Sequence, residues 1–133
     1  MSRAWLATGA GLGALSVILG AFGAHLLRSW LPVQAMSLYE TSIRYLQVHA
    51  LALLAAGSLI ERWPARRALR WAAGGFAAGC FFFSGSLALL ALTGWNWLGA
   101  LAPVGGALWI AAWIALAVGC AQRTSVQDSG FRV

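Results

Sequence analysis

Apolar residues run along this chain in long blocks, and polar residues gather at the short breaks between them. The first block, residues 4–27, follows Arg3 and carries no charged side chain. A second runs from about residue 33 to 60, and its first turns are amphipathic rather than wholly apolar. Glu40 and Arg44 stand four apart there, a spacing that suits an ion pair on one helix face. After a break come 52 residues, 71–122, without any charge. A bilayer span needs about 20 apolar residues, so this run divides into two helices. Thr93, Gly94, Trp95, Asn96 and Trp97 supply the only turn chemistry inside it. Pro32 and Pro103 sit where a helix can begin, since proline fits a first turn. The pattern predicts an all-α integral membrane four-helix bundle, with spans at about residues 5–27, 41–60, 71–92 and 103–121. Residues 1–122 form one transmembrane domain, and 123–133 are a polar tail expected to lack fixed structure.

Composition agrees with this reading. Hydrophobic residues make up 61% of the 133 and charged ones 9%, too few to cover a soluble surface. Residues 21–23, Ala, Phe and Gly, would suit a signal-peptide cleavage site. The first block is longer than a usual signal core and three spans follow it, so a retained helix is the better reading.

Charge sets the expected orientation. All nine basic residues are arginine, against three acidic residues, for a net charge of +6. Four spans put Arg3, Arg62, Arg66, Arg67, Arg70, Arg123 and Arg132 on one side, leaving Arg28 and Arg44 on the other. The arginine-rich side is expected to be cytoplasmic, with both termini there. Trp5, Trp63 and Trp71 would mark that interface, and Trp30, Trp95 and Trp97 the opposite one. The location implied is the bacterial cytoplasmic (inner) membrane. Nucleic acid is not an expected partner, because no basic stripe with interleaved aromatics lies outside the apolar blocks.

Small residues predict close packing. Ala107, Ala111, Ala115 and Gly119 recur every four positions in the fourth span, as Gly75 and Gly79 do in the third. Such stripes let helix backbones approach in lipid, and an unused stripe could serve a homo-oligomer. Gly9, Gly11, Gly13 and Ala14 fit a dinucleotide fingerprint formally, but no strand precedes them and no acidic residue stands at the right distance. A small-residue helix face accounts for them better. Cys80 and Cys120 read as packing residues.

Candidate chemistry is sparse. His25 ends the first span, and His49 lies about 12 Å below the outer boundary of the second, counting from Thr41. Ser84 reaches a similar depth, with Ser86 beside it. His49 shares a face with Tyr45 and Ala56, while Glu40, Arg44 and Gln47 project from the opposite face. Pro103, Val104, Gly105 and Gly106 open the fourth span, where bare N–H groups could seat an anion or simply pack closely. The candidate ligand-binding set is His25, Tyr45, His49, Ser84, Ser86, Gly105 and Gly106. The alternatives for the histidines are interhelical hydrogen bonding, a ligand or proton site, and a His25–His49 metal pair, which lacks the usual companions. No catalytic constellation, metal site or cofactor is expected.

Taken together, several segments resemble a known family. Gly20 to His25 (GAFGAH), Tyr45 with His49 to Leu54 (HALALL), Phe83 to Leu87 (FSGSL), Pro103 to Gly106 (PVGG) and Trp113 occur in its order and spacing. It is the small four-span family catalogued as domain of unknown function 423, with YgdD-like inner-membrane proteins and relatives of eukaryotic transmembrane protein 256. Leu46 follows Tyr45 here, where members often carry Gln. The resemblance implies a membrane location and four helices, and it implies no particular activity.

Three functions are therefore carried forward. One is a non-enzymatic membrane protein that binds lipids or a membrane protein partner through polar groups in its outer half. Another is a small-solute or proton transporter using His49. The third, an interfacial enzyme with a histidine base, lacks an activated nucleophile.

Overall fold

Backbone in hydrocarbon must satisfy its own N–H and C=O groups, so an apolar stretch of this length folds as a helix. The computed structural model describes residues 1–123; Asp128, Arg132 and all of the expected tail beyond Arg123 lie outside the described residues. These form α1 (Ser2–His25), α2 (Val33–Arg62), α3 (Arg67–Gly79), α4 (Ser86–Thr93) and α5 (Ala102–Ala121), with no strand among them. A six-residue π-helical segment, Cys80–Gly85, joins α3 to α4, so Arg67–Thr93 is one continuous rod. Together with Ser2–Ser29, Val33–Arg62 and Asn96–Ala121, it makes four helical stretches long and apolar enough to cross a membrane.

The breaks have local causes. Pro32 immediately precedes α2 in an extended conformation. The third rod stops at Gly94, whose φ of 71° is left-handed and whose N–H bonds to the Leu90 carbonyl at 2.8 Å. That conformation carries little penalty only without a Cβ. Pro103 falls in the first turn of α5, where its missing N–H leaves no bond unmade.

Helix α2 is the centre of the bundle. It packs against α1 on one side and the α3–α4 rod on the other, while α5 lies against α3. The core is small and tight: Leu53, Ala56, Leu69, Ala72, Ala73 and Phe76 are fully or almost fully buried. Glycine allows these approaches. A Cβ on Gly75 would meet Ala112 at 2.8 Å, and one on Gly79 would overlap the Trp109 indole. Gly9 faces α2 as closely, whereas Gly11 and Gly13 face open space; the fingerprint-like run is a helix face.

Two expectations need correction. Glu40 does not pair with Arg44 on its own helix; it bonds to Arg28 at 3.0 Å, across from the turn after α1. The turn Leu27–Ser29 folds Arg28 back over α2, and no helical periodicity encodes that approach. The small-residue stripe of the last span meets α3 only in its second half, where Ala115 packs on the core and Gly119 lies against Leu69. Its first half, Ala107 and Ala111, is exposed, and there α5 instead buries Ala102, Gly105, Trp109 and Ala112. The large Trp109 sits in that face because Gly79 opposite it leaves room for the indole.

Candidate functional site

His49 sits mid-way along α2, 5% exposed, with its ring laid flat on Trp109: the centroids are 3.6 Å apart and the planes 4° from parallel. Its Nδ1 is 2.7 Å from the Tyr45 carbonyl one turn back. Its Nε2 is 3.2 Å from Nε1 of Trp113. A carbonyl can only accept and an indole N–H can only donate. The imidazole is therefore neutral, donating from Nδ1 and accepting at Nε2, with both nitrogens engaged. Tyr45 stacks on Trp109 at 5.8 Å, Phe83 packs on it at 4.7 Å, and Phe76 meets Trp113 edge-on. Trp109 itself donates to the Phe76 carbonyl at 3.2 Å. The result is an aromatic lock between α2, α3 and α5.

Trp109 and Trp113 are thus the partners that sequence reasoning passed over. Their signal was present, two tryptophans one helical turn apart in mid-span, far from either interface where tryptophan usually collects. Tyr39 was passed over too; its hydroxyl donates to the Leu19 carbonyl at 2.6 Å and ties α1 to α2.

The remaining candidates divide among different places. Ser86 is buried and donates to the carbonyls of Phe82 and Phe83. A π turn disturbs the i to i+4 ladder, and this hydroxyl satisfies carbonyls within it. Gly105 lies against the backbone of Phe83, so closely that a Cβ there would overlap it, while a Cβ on Gly106 would meet only the Phe83 ring at 3.9 Å. The start of α5 is consequently filled by the π segment. His25 is exposed at the end of α1. Its neighbour Gly23 packs on Tyr39, ten residues before His49, so the two histidines are separated by about 15 Å along α2. Glu40, Arg44 and Gln47 do share one face, lining an outer notch with Gly20 and Gly23 that is about 360 Å³ in volume.

Ser84 stands apart from all of these. It is 4% exposed, and its hydroxyl is the one buried side-chain polar atom among the described residues with no hydrogen-bond partner. The other buried serines, Ser16, Ser42 and Ser86, each donate to a carbonyl of their own helix. Ser84 lies inside the π segment and lines a crevice of about 200 Å³ with Leu12, Leu15, Leu19, Ile43 and Leu46. The crevice exists because α1 packs chiefly on α2 and hardly touches the third rod.

Three comparisons bear on identity. The model of a family described as "Protein of unknown function (DUF423)" matches residues 19–106. A UPF0382 membrane protein of Staphylococcus haemolyticus is 41% identical over 111 residues, covering 80% of this chain and 89% of its own. The UPF0382 membrane protein YwdK of Bacillus subtilis is 36% identical over 104 residues, 78% of this chain and 85% of its own. The UPF0382 inner membrane protein YgdD of Escherichia coli is 34% identical over 122 residues, 89% of each chain. No solved structure matches. With four helices long and apolar enough to cross a membrane and relatives of this kind, this multi-pass membrane protein belongs to the DUF423 family.

Proposed function

We propose that this protein is a non-enzymatic lipid-binding protein that holds a neutral amphiphile in the crevice between α1, α2 and the π segment. The observation that carries the reading is the unpartnered Ser84 hydroxyl. A buried hydroxyl without a partner is costly, and every other buried serine avoids that cost within its own helix. Here the π turn turns the hydroxyl toward an otherwise apolar crevice, so an incoming molecule with an oxygen acceptor would complete it. Ser84 lies about 13 Å below the end of α4. That depth suits an acceptor carried within an apolar body better than the headgroup of a phospholipid. Transport through His49 fits less well, because both ring nitrogens are engaged and the neighbouring core is apolar. An enzymatic role has no nucleophile beside the imidazole.

Protein extracted gently from membranes and weighed by native mass spectrometry tests this. Wild type is expected to retain a neutral lipid at one copy per chain, and Ser84→Ala to lose it, while the two proteins stripped of lipid melt in detergent at the same temperature. A wild-type protein that carries no neutral lipid, or a Ser84→Ala variant that keeps it, would reject the reading.

A further inference from the structure

The arginine-rich end of the bundle holds a second, chemically different cleft, in the loop after α2. Trp63 forms one wall, with the guanidinium carbons of Arg62 and Arg66 lying 5.3 and 4.1 Å from its ring centroid. Arg66 also donates to the Gly119 carbonyl at 2.9 Å, covering the last turn of α5. Gln122 and Arg123 continue from that helix to complete a cleft of about 530 Å³, and among the described residues no acidic side chain lines it. Arg66 is held by a carbonyl and an aromatic face, so its position is set before anything binds. Two further guanidinium groups, those of Arg62 and Arg123, open on the same space.

We propose that this cleft seats the phosphate of an anionic phospholipid, in the leaflet opposite the Ser84 crevice and independently of it. Planar guanidinium groups match phosphate oxygens in geometry as well as charge. An indole beside them suits the headgroup level of a bilayer. The arginine excess at this end makes it the expected cytoplasmic face, where anionic lipids attract basic segments. Simple orientation of the chain would need only an excess of arginine at this end; it would not need three arginines and a tryptophan arranged around one cavity.

The test uses the full-length protein in detergent, titrated with phosphatidylglycerol and with phosphatidylcholine of identical acyl chains, and read by native mass spectrometry. Wild type is expected to retain phosphatidylglycerol preferentially. The variants Arg62→Gln and Arg123→Gln should each reduce that preference about fivefold, and Arg28→Gln, at the other end, should leave it unchanged. Arg66 is left intact because it covers the end of α5. Equal retention of the two lipids, or an unchanged preference in the double variant, would overturn the proposal. Displacement of the lipid by millimolar inorganic phosphate would overturn the commitment to a lipid. Should the variants fail to fold, wild type decides alone: its preference must weaken as salt is raised, and a salt-independent preference rejects the site.

Discussion

The imidazole of His49 accepts a hydrogen bond from the indole of Trp113, 64 residues further along the chain, at 3.2 Å. This bond joins α2 to α5, two helices whose backbones otherwise meet mainly through α3. Measured interhelical hydrogen bonds in membranes are modest, averaging about 0.6 kcal/mol and reaching about 1.7. A double-mutant cycle of His49→Ala and Trp113→Phe, read as unfolding in detergent, should give a coupling within that range. His49→Ala alone should cost more, roughly 2 kcal/mol or above, because the ring stacked on Trp109 is lost as well. Strict additivity would mean that the bond does not couple the helices.

Adjacent glycines in α5 should behave oppositely. An alanine at position 105 must push Phe83 backbone aside, whereas at 106 its methyl finds ordinary contact with a ring. Gly105→Ala is expected to destabilise by about 1–3 kcal/mol. Gly106→Ala should be neutral or stabilising by up to about 1 kcal/mol, through helix propensity. Melting of the two variants in one detergent checks the contrast, and equal effects would contradict the close approach of the π segment to α5.

The serines of the third rod should separate as well. Ser86→Ala removes a donor to the Phe82 and Phe83 carbonyls and is expected to cost about 1 kcal/mol. Ser84→Ala removes a hydroxyl that makes no bond, so stability should hold or rise slightly. With both proteins stripped of lipid, loss of stability in Ser84→Ala would assign that hydroxyl a structural role.

Arg28 and Glu40 are 69% and 44% exposed. Their pairing should therefore be worth less than about 1 kcal/mol, measured by a cycle of Arg28→Ala and Glu40→Ala. The same cycle on Glu40 and Arg44 should show no coupling. A larger value for the Arg44 pair would restore the within-helix geometry.

Orientation is open to labelling. Asn96→Cys should react with a membrane-impermeant maleimide on spheroplasts, and Ala65→Cys only after permeabilisation. The reverse pattern would invert the topology expected from the arginines.

Some of this was legible residue by residue. The uncharged run 71–122 announced two spans, Gly94 its turn, and Gly75 and Gly79 a close helix contact, because hydropathy and backbone freedom are local properties. His49 and Ser84 stood out for a related reason, since a polar group in an apolar stretch must find a partner or do without one. Which of those happens was not legible. His49 faces an indole one way and a carbonyl the other, whereas Ser84 faces an apolar crevice that includes Cys80 and Phe81, and the flanking residues of neither reveal which. The π turn was hidden too: CFFFSG reads as ordinary helix, and the alternative hydrogen-bond ladder shows only with the neighbouring helix in place.

By itself the sequence determined that this chain lives in a membrane and forms four helices long and apolar enough to cross it. Burial in lipid imposes helix formation through the backbone's own hydrogen bonds, so span length and charge suffice. Only the tertiary structure decided that the polar candidates do not form one site. Partner choice depends on helix rotation and on small residues opposite large ones. Those relations turned His49 into part of a lock, set Arg28 against Glu40, and left the Ser84 hydroxyl alone beside a crevice.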